Sequence, residues 1–72
     1  MSDYNLSLEE YVVLESNENT YDELVERALW SSSAIDNIAA LRHPQCSRAM
    51  IIEAMMVNPN LHNIKRNYDT FK

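Results

Sequence analysis

The chain has 72 residues, 46% of them apolar, and a net charge of −5, from which residues 1–72 are expected to form a single domain with a small core. It contains no glycine and one cysteine, Cys46, so glycine-rich phosphate cradles, dinucleotide fingerprints and an internal disulfide are excluded. Tight glycine hairpins are excluded with them, and a core of this size typically supplies no more than about 3–5 kcal/mol, so a partner or a second copy is expected to add to it.

The first predicted helix runs from Leu6 to Glu15. Ser7-Leu8-Glu9-Glu10 fits a capping box, in which the serine hydroxyl and the glutamate carboxylate each accept from the other's exposed amide. Leu8, Tyr11 and Val12 share one face, and the polar run Ser16-Asn17-Glu18-Asn19 ends the helix. Thr20-Tyr21-Asp22-Glu23 reads as a second box. Tyr21, Leu24, Val25, Ala28 and Leu29 follow at helical spacing, with Asp22, Glu23 and Glu26 opposite. Acids in a first turn also suit the helix dipole.

Trp30-Ser31-Ser32-Ser33 breaks the pattern, and Ser33 with Asp36 gives a third capping signal. Ala34, Ile35, Ile38, Ala39 and Leu41 form a short apolar face that His43-Pro44 closes, because the residue before proline is pushed out of the helical region. Ser47 then caps Arg48–Val57, which is apolar except for Arg48 and Glu53. A helix apolar on nearly every side is expected to be covered on nearly every side, so this segment is placed at the centre of the molecule. Asn58-Pro59 ends it, and Asn60 can cap a last helix with Leu61, Ile64, Tyr68 and Phe71 on one face. The expected fold is all-α: a compact bundle or short right-handed stack of about five helices joined by His-Pro and Asn-Pro turns.

The charge is divided. Residues 1–36 carry nine acids and only Arg27, a net −8, whereas residues 37–72 carry a net +3. An acidic first half disfavours nucleic acid as a direct ligand. Met1-Ser2-Asp3-Tyr4-Asn5 lacks the basic region and apolar run of a signal peptide, and no apolar run approaches the ~20 residues that span a bilayer. With a single thiol, the expectation is a cytoplasmic protein without membrane contact.

Few residues suggest chemistry. His43, Cys46 and His62 are the only soft metal ligands, but a structural site wants four and no second cysteine exists. His43 beside Cys46 could form a thiolate pair, yet spacing indicates no orienting acid, and buried packing is the ordinary fate of such a cysteine. The reading is no catalytic residues, no metal and no cofactor. Met50, Met55 and Met56 either fill the core or form an adaptable binding patch. Trp30 and Tyr21, with Tyr11 and Tyr4, supply aromatics that either plug the core or anchor a partner. The acids are either a solvated face or a docking surface.

His43-Pro44-Gln45-Cys46-Ser47 and Asn58-Pro59-Asn60-Leu61-His62 are similar pentads, each set before a helix, and Ser16-Asn17-Glu18-Asn19-Thr20 holds the equivalent place earlier. This pattern resembles the short helical repeats of the variant leucine-rich and HEAT-like kind, which implies binding of other macromolecules through stacked helix surfaces. In brevity, acidity and helical makeup the chain is also similar to small phage-encoded inhibitors. The functional expectation is a non-catalytic interaction module that docks on a larger protein. Glu9, Glu10, Asp22, Glu23 and Glu26 would steer it electrostatically, with Tyr21 or Trp30 as anchor and Met55 and Met56 as an apolar contact. Two alternatives stand beside it: an acidic mimic that blocks a basic, nucleic-acid-binding protein, and a homo-oligomeric structural subunit.

Overall fold

Five helices form in the computed structural model, which describes residues 5–71: α1 (Leu8–Glu15), α2 (Asp22–Trp30), α3 (Ala34–Arg42), α4 (Arg48–Val57) and α5 (Asn60–Phe71). No strand occurs among the described residues. Tyr4 and Lys72 lie outside them, as does the side chain of Phe71. The chain is the all-α bundle that its periodicity implies. Its radius of gyration is 10.9 Å, close to the ~11 Å of a compact chain of this length.

The helix boundaries follow local chemistry in part. The Ser7 box forms: Ser7 Oγ accepts from the Glu10 amide at 3.3 Å, and the Ser7 amide donates to the Glu10 carboxylate at 2.9 Å. With no glycine to take the left-handed position past α1, Asn17 takes it at φ 59°, asparagine being one of the few other residues that tolerates it. Ser47 caps α4 through the Met50 amide. His43 (ψ 135°) and Asn58 (ψ 89°) leave the helical region ahead of their prolines.

The other two expected boxes do not form. Tyr21 precedes α2 without any side-chain cap. Gln45 instead fixes the residue ahead of that position from a distant loop: its amide oxygen accepts from the Thr20 amide at 2.7 Å, and its amide nitrogen donates to the Thr20 carbonyl at 2.6 Å. Ser33 also makes no cap bond. Its expected partner Asp36 turns inward, accepting from the Ser31 hydroxyl at 2.8 Å and the Leu6 amide at 3.1 Å.

Helices α2, α3, α5 and α4 pack each on the next in a closed ring, and α1 lies against α3. Glu10 of α1 also reaches Arg27 of α2 at 2.7 Å. The core inside the ring is made of Leu24, Val25, Ala28 and Leu29 of α2, Ala39 and Ala40 of α3, Ala54 of α4, Leu61 of α5 and Leu14 of α1. Four of these nine are alanine, on α2, α3 and α4, and small residues let helix axes approach.

The centre is therefore α2, and the expectation for Arg48–Val57 is corrected. Only Ala54 of α4 is buried; Met50, Ile51 and Met55 are half-buried, and Ala49, Ile52, Met56 and Val57 are exposed. The ring's interior is already filled by the leucines and valine of α2 with Leu14 and Leu61. What α4 contributes is one alanine and the flanks of its inner face.

Two buried asparagines hold the end of α2. Its last carbonyls have no partners within the helix. Asn37 Nδ2 lies 2.7 Å from the Ala28 carbonyl and 3.1 Å from those of Leu29 and Ser31. Asn58 Nδ2 lies 3.1 and 3.0 Å from the Leu29 and Ser31 carbonyls. The similar pentads thus share a physical role. In each, the residue before an exposed proline is buried and reaches back to earlier backbone, His43 to the Glu18 carbonyl and Asn58 to the end of α2.

Candidate interaction surface

The residues that suggested chemistry are committed to structure or kept apart. The His43 ring is buried between two backbone groups: Nδ1 accepts from the Gln45 amide at 3.1 Å, and Nε2 stands 2.9 Å from the Glu18 carbonyl. Since Nδ1 accepts, Nε2 carries the proton and donates. Neither nitrogen is left for a thiol or a metal. Burial pushes the Cys46 thiol up from 9.0 to about 11, the opposite of what an activated nucleophile needs. His62 is exposed, and no three His, Cys, Asp or Glu side chains converge among the described residues. No described helix is long and apolar enough to cross a membrane.

The expected docking residues fall on three helices. Tyr21, Asp22 and Glu23 are exposed at the start of α2, with Glu26 and Trp30 half-buried further along. Trp30 packs against the core. Asp22 accepts a bond from Gln45 at 3.2 Å. Glu10 is not open to a partner, because Ser7 and Arg27 occupy its carboxylate; the Ser7 amide first and then the Arg27 guanidinium hold it below its ordinary value. Glu9 is exposed on α1. Glu15 accepts from the Tyr11 hydroxyl at 2.7 Å, and this bond holds the phenol proton on, raising Tyr11 above its ordinary value.

Met55 and Met56 part company. Consecutive residues on a helix point about 100° apart. Met55 faces α5, where it lines a shallow depression of about 560 Å³ with His62, Lys65, Arg66, Asp69 and Thr70. Met56 faces outward and is 81% exposed. Ile52, 51% exposed, and Ala49 share its face, and Val57, 54% exposed, stands beside it. The outward stripe of α4 is thus Ala49, Ile52 and Met56, spaced i, i+3, i+7. Sequence reading missed Ala49, Ile52 and Val57 as surface residues. In a segment apolar all round, no polar contrast marks which side is bare. A second apolar feature is a groove of about 370 Å³ between α3 and α5, lined by Ala34, Ile38, Ile64, Asn67 and Tyr68.

Eight large hydrophobics are exposed among the described residues, whereas the buried core has only five side chains larger than alanine. Isolated exposed apolar residues need no explanation, whereas large contiguous apolar patches are surfaces through which proteins make contacts. No family model matches the chain, and no curated protein or solved structure matches it.

Proposed function

We propose that this protein is a non-catalytic interaction module whose contact surface is the outward face of α4. Supporting this is one observation above the rest: Ile52 and Met56 stand 51% and 81% exposed in one stripe of an otherwise apolar helix. The exposed acids of α2, Asp22 and Glu23, lie at the start of the helix that packs on α4 and would steer the approach of a basic patch on a partner. The engaged His43 and the raised Cys46 thiol favour action by occupancy over chemistry. A small inhibitor or regulator works in this way.

The test is capture of binding proteins from the native cells with immobilised wild type, Ile52→Asp with Met56→Asp, and Asp22→Asn with Glu23→Gln and Glu26→Gln, each at low and high salt. A partner held through α4 is retained at high salt and lost with the α4 variant. Retention by the α4 variant with loss on the acid variant and in salt would replace this reading with an acidic mimic, since exposed charges are screened.

A further inference from the structure

We infer that the occupant of the α4 face is a second copy of this chain, paired through α4 in parallel about a two-fold axis. The inference rests on the reading of α4 as the contact surface and adds the identity of the partner. Its ground is the placement of the two charges on α4, Arg48 and Glu53, both exposed.

Around the helix, Arg48 shares a side with Met55, seven residues on, and Met55 faces α5. Glu53 lies on the other side of the Ala49–Ile52–Met56 stripe, toward α2. Ala49 and Met56 therefore stand at the a positions of a seven-residue repeat and Ile52 at d. Arg48 takes the flanking g position and Glu53 the flanking e. In parallel pairs the g residue of one helix meets the e residue of the other five positions on. Arg48 and Glu53 are those two positions. A two-fold pair makes the contact twice, with opposite charges. Antiparallel pairing would instead set Arg48 against Arg48 and Glu53 against Glu53.

The neighbouring helices carry the same polarity. Gln45 bonds Asp22 at the start of α2, and Asn58 bonds the Leu29 and Ser31 carbonyls at its end. Helices α2 and α4 thus run in the same direction, with Asp22 level with the start of α4. On the other side stands Arg66, while Lys65 is paired with Asp69 at 2.6 Å. Each face is an apolar stripe with an acidic flank and a basic flank. Rotation about an axis along α4 brings unlike flanks together; rotation about an axis across it brings like flanks together. Ala49 lets the two helices approach closely at one end, and Met56 fills the other.

The seam is short, since α4 has ten residues, so the pair is weak and reversible. Sedimentation equilibrium of the pure protein from about 10 μM to 1 mM, the range of weak association, is expected to show monomer passing to dimer. Met56→Asp is expected to abolish the dimer while the helical circular dichroism stays unchanged. Arg48→Glu and Glu53→Arg are each expected to weaken it about tenfold, as two attractions become two repulsions, and an equimolar mixture of the two is expected to dimerise again. Ala49→Cys on a Cys46→Ser background is expected to form an interchain disulfide on oxidation, because a parallel two-fold pair sets residue 49 against itself. A monomer throughout the range would overturn the second copy as occupant. The capture experiment would still decide the α4 reading, so the two failures are distinguishable. A dimer that persists in Met56→Asp, or no disulfide at residue 49, would overturn the seam or its direction.

Discussion

The end of α2 can be tested by removing its two asparagines singly and together. Asn37→Ala deletes the bonds to the Ala28, Leu29 and Ser31 carbonyls. The Leu29 and Ser31 carbonyls keep Asn58, and the Ala28 carbonyl keeps the Ser31 amide at 3.4 Å. The change also removes Asn37 Oδ1, which is buried without a partner, so part of the loss is offset. At about 0.5–1.5 kcal/mol for each net bond, the single variant is expected to lose about 1–2 kcal/mol. Asn58→Ala, with two bonds deleted, is expected to lose about the same. In the double variant the Leu29 and Ser31 carbonyls have no side-chain donor left. A buried unsatisfied group costs about 1–3 kcal/mol, so the double is expected to exceed the sum of the singles by about 2 kcal/mol. Urea unfolding followed by far-ultraviolet circular dichroism measures all three. Total stability for this length is only about 4–11 kcal/mol, so the series is run in trimethylamine N-oxide to keep a folded baseline for the double. A double variant within about 0.5 kcal/mol of the sum would refute the shared capping of these carbonyls.

Leu29→Ala, at a fully buried site of α2, is expected to cost about 2–5 kcal/mol, whereas Ile52→Ala on α4 is expected to fall within about 0.5 kcal/mol of wild type; denaturation of dilute protein compares them, and the reverse order would restore α4 to the centre. Glu10 sits below its ordinary 4.5 in the folded chain, so its stabilisation is present above that pH and is lost as pH falls through the lower folded value. The gap in stability between wild type and Glu10→Gln is therefore expected to shrink on acidification below about pH 4.5, measured by thermal melts across that range. With its thiol raised to about 11, Cys46 is expected to react with iodoacetamide at neutral pH about a hundredfold more slowly in the folded chain than in urea; equal rates would show an accessible, unperturbed thiol.

The parts of the fold that could be read in advance are those that nearby residues decide. Ser7 and Glu10 are three positions apart, Ser47 and Met50 likewise, and the prolines at 44 and 59 act on the residue just before them. The amphipathic pattern of α2 was legible because Asp22, Glu23 and Glu26 mark the side away from the core. The polar contacts that shape the rest join residues far apart in the chain. Gln45 reaches Thr20 across 25 positions and Asn58 reaches Leu29 across 29. No local spacing signals such a pair, which is why Thr20 and Ser33 read as caps that the fold does not use. Of the expected docking residues, Tyr21, Asp22 and Glu23 do lie together on the surface, whereas Glu10 is spent on Arg27 and Met55 is turned toward α5.

The misplacement of α4 has a different cause. Its apolar composition implies that its surface should be covered, and that inference does not state by what. A ring of short helices has room for few side chains, and α2 with Leu14 and Leu61 fills it. Among the described residues, the apolar surface of Ala49, Ile52 and Met56 is left outside that ring. Burial of this face by another chain is what the proposed pairing through α4 would supply, adding to a small core. Arg48 and Glu53, which look incidental in a buried rod, are on a bare helix the two residues that would set a partner's orientation in the proposed pair. In that proposal the parallel direction would be favoured twice over, by the charges of α4 itself and by the helices that flank it.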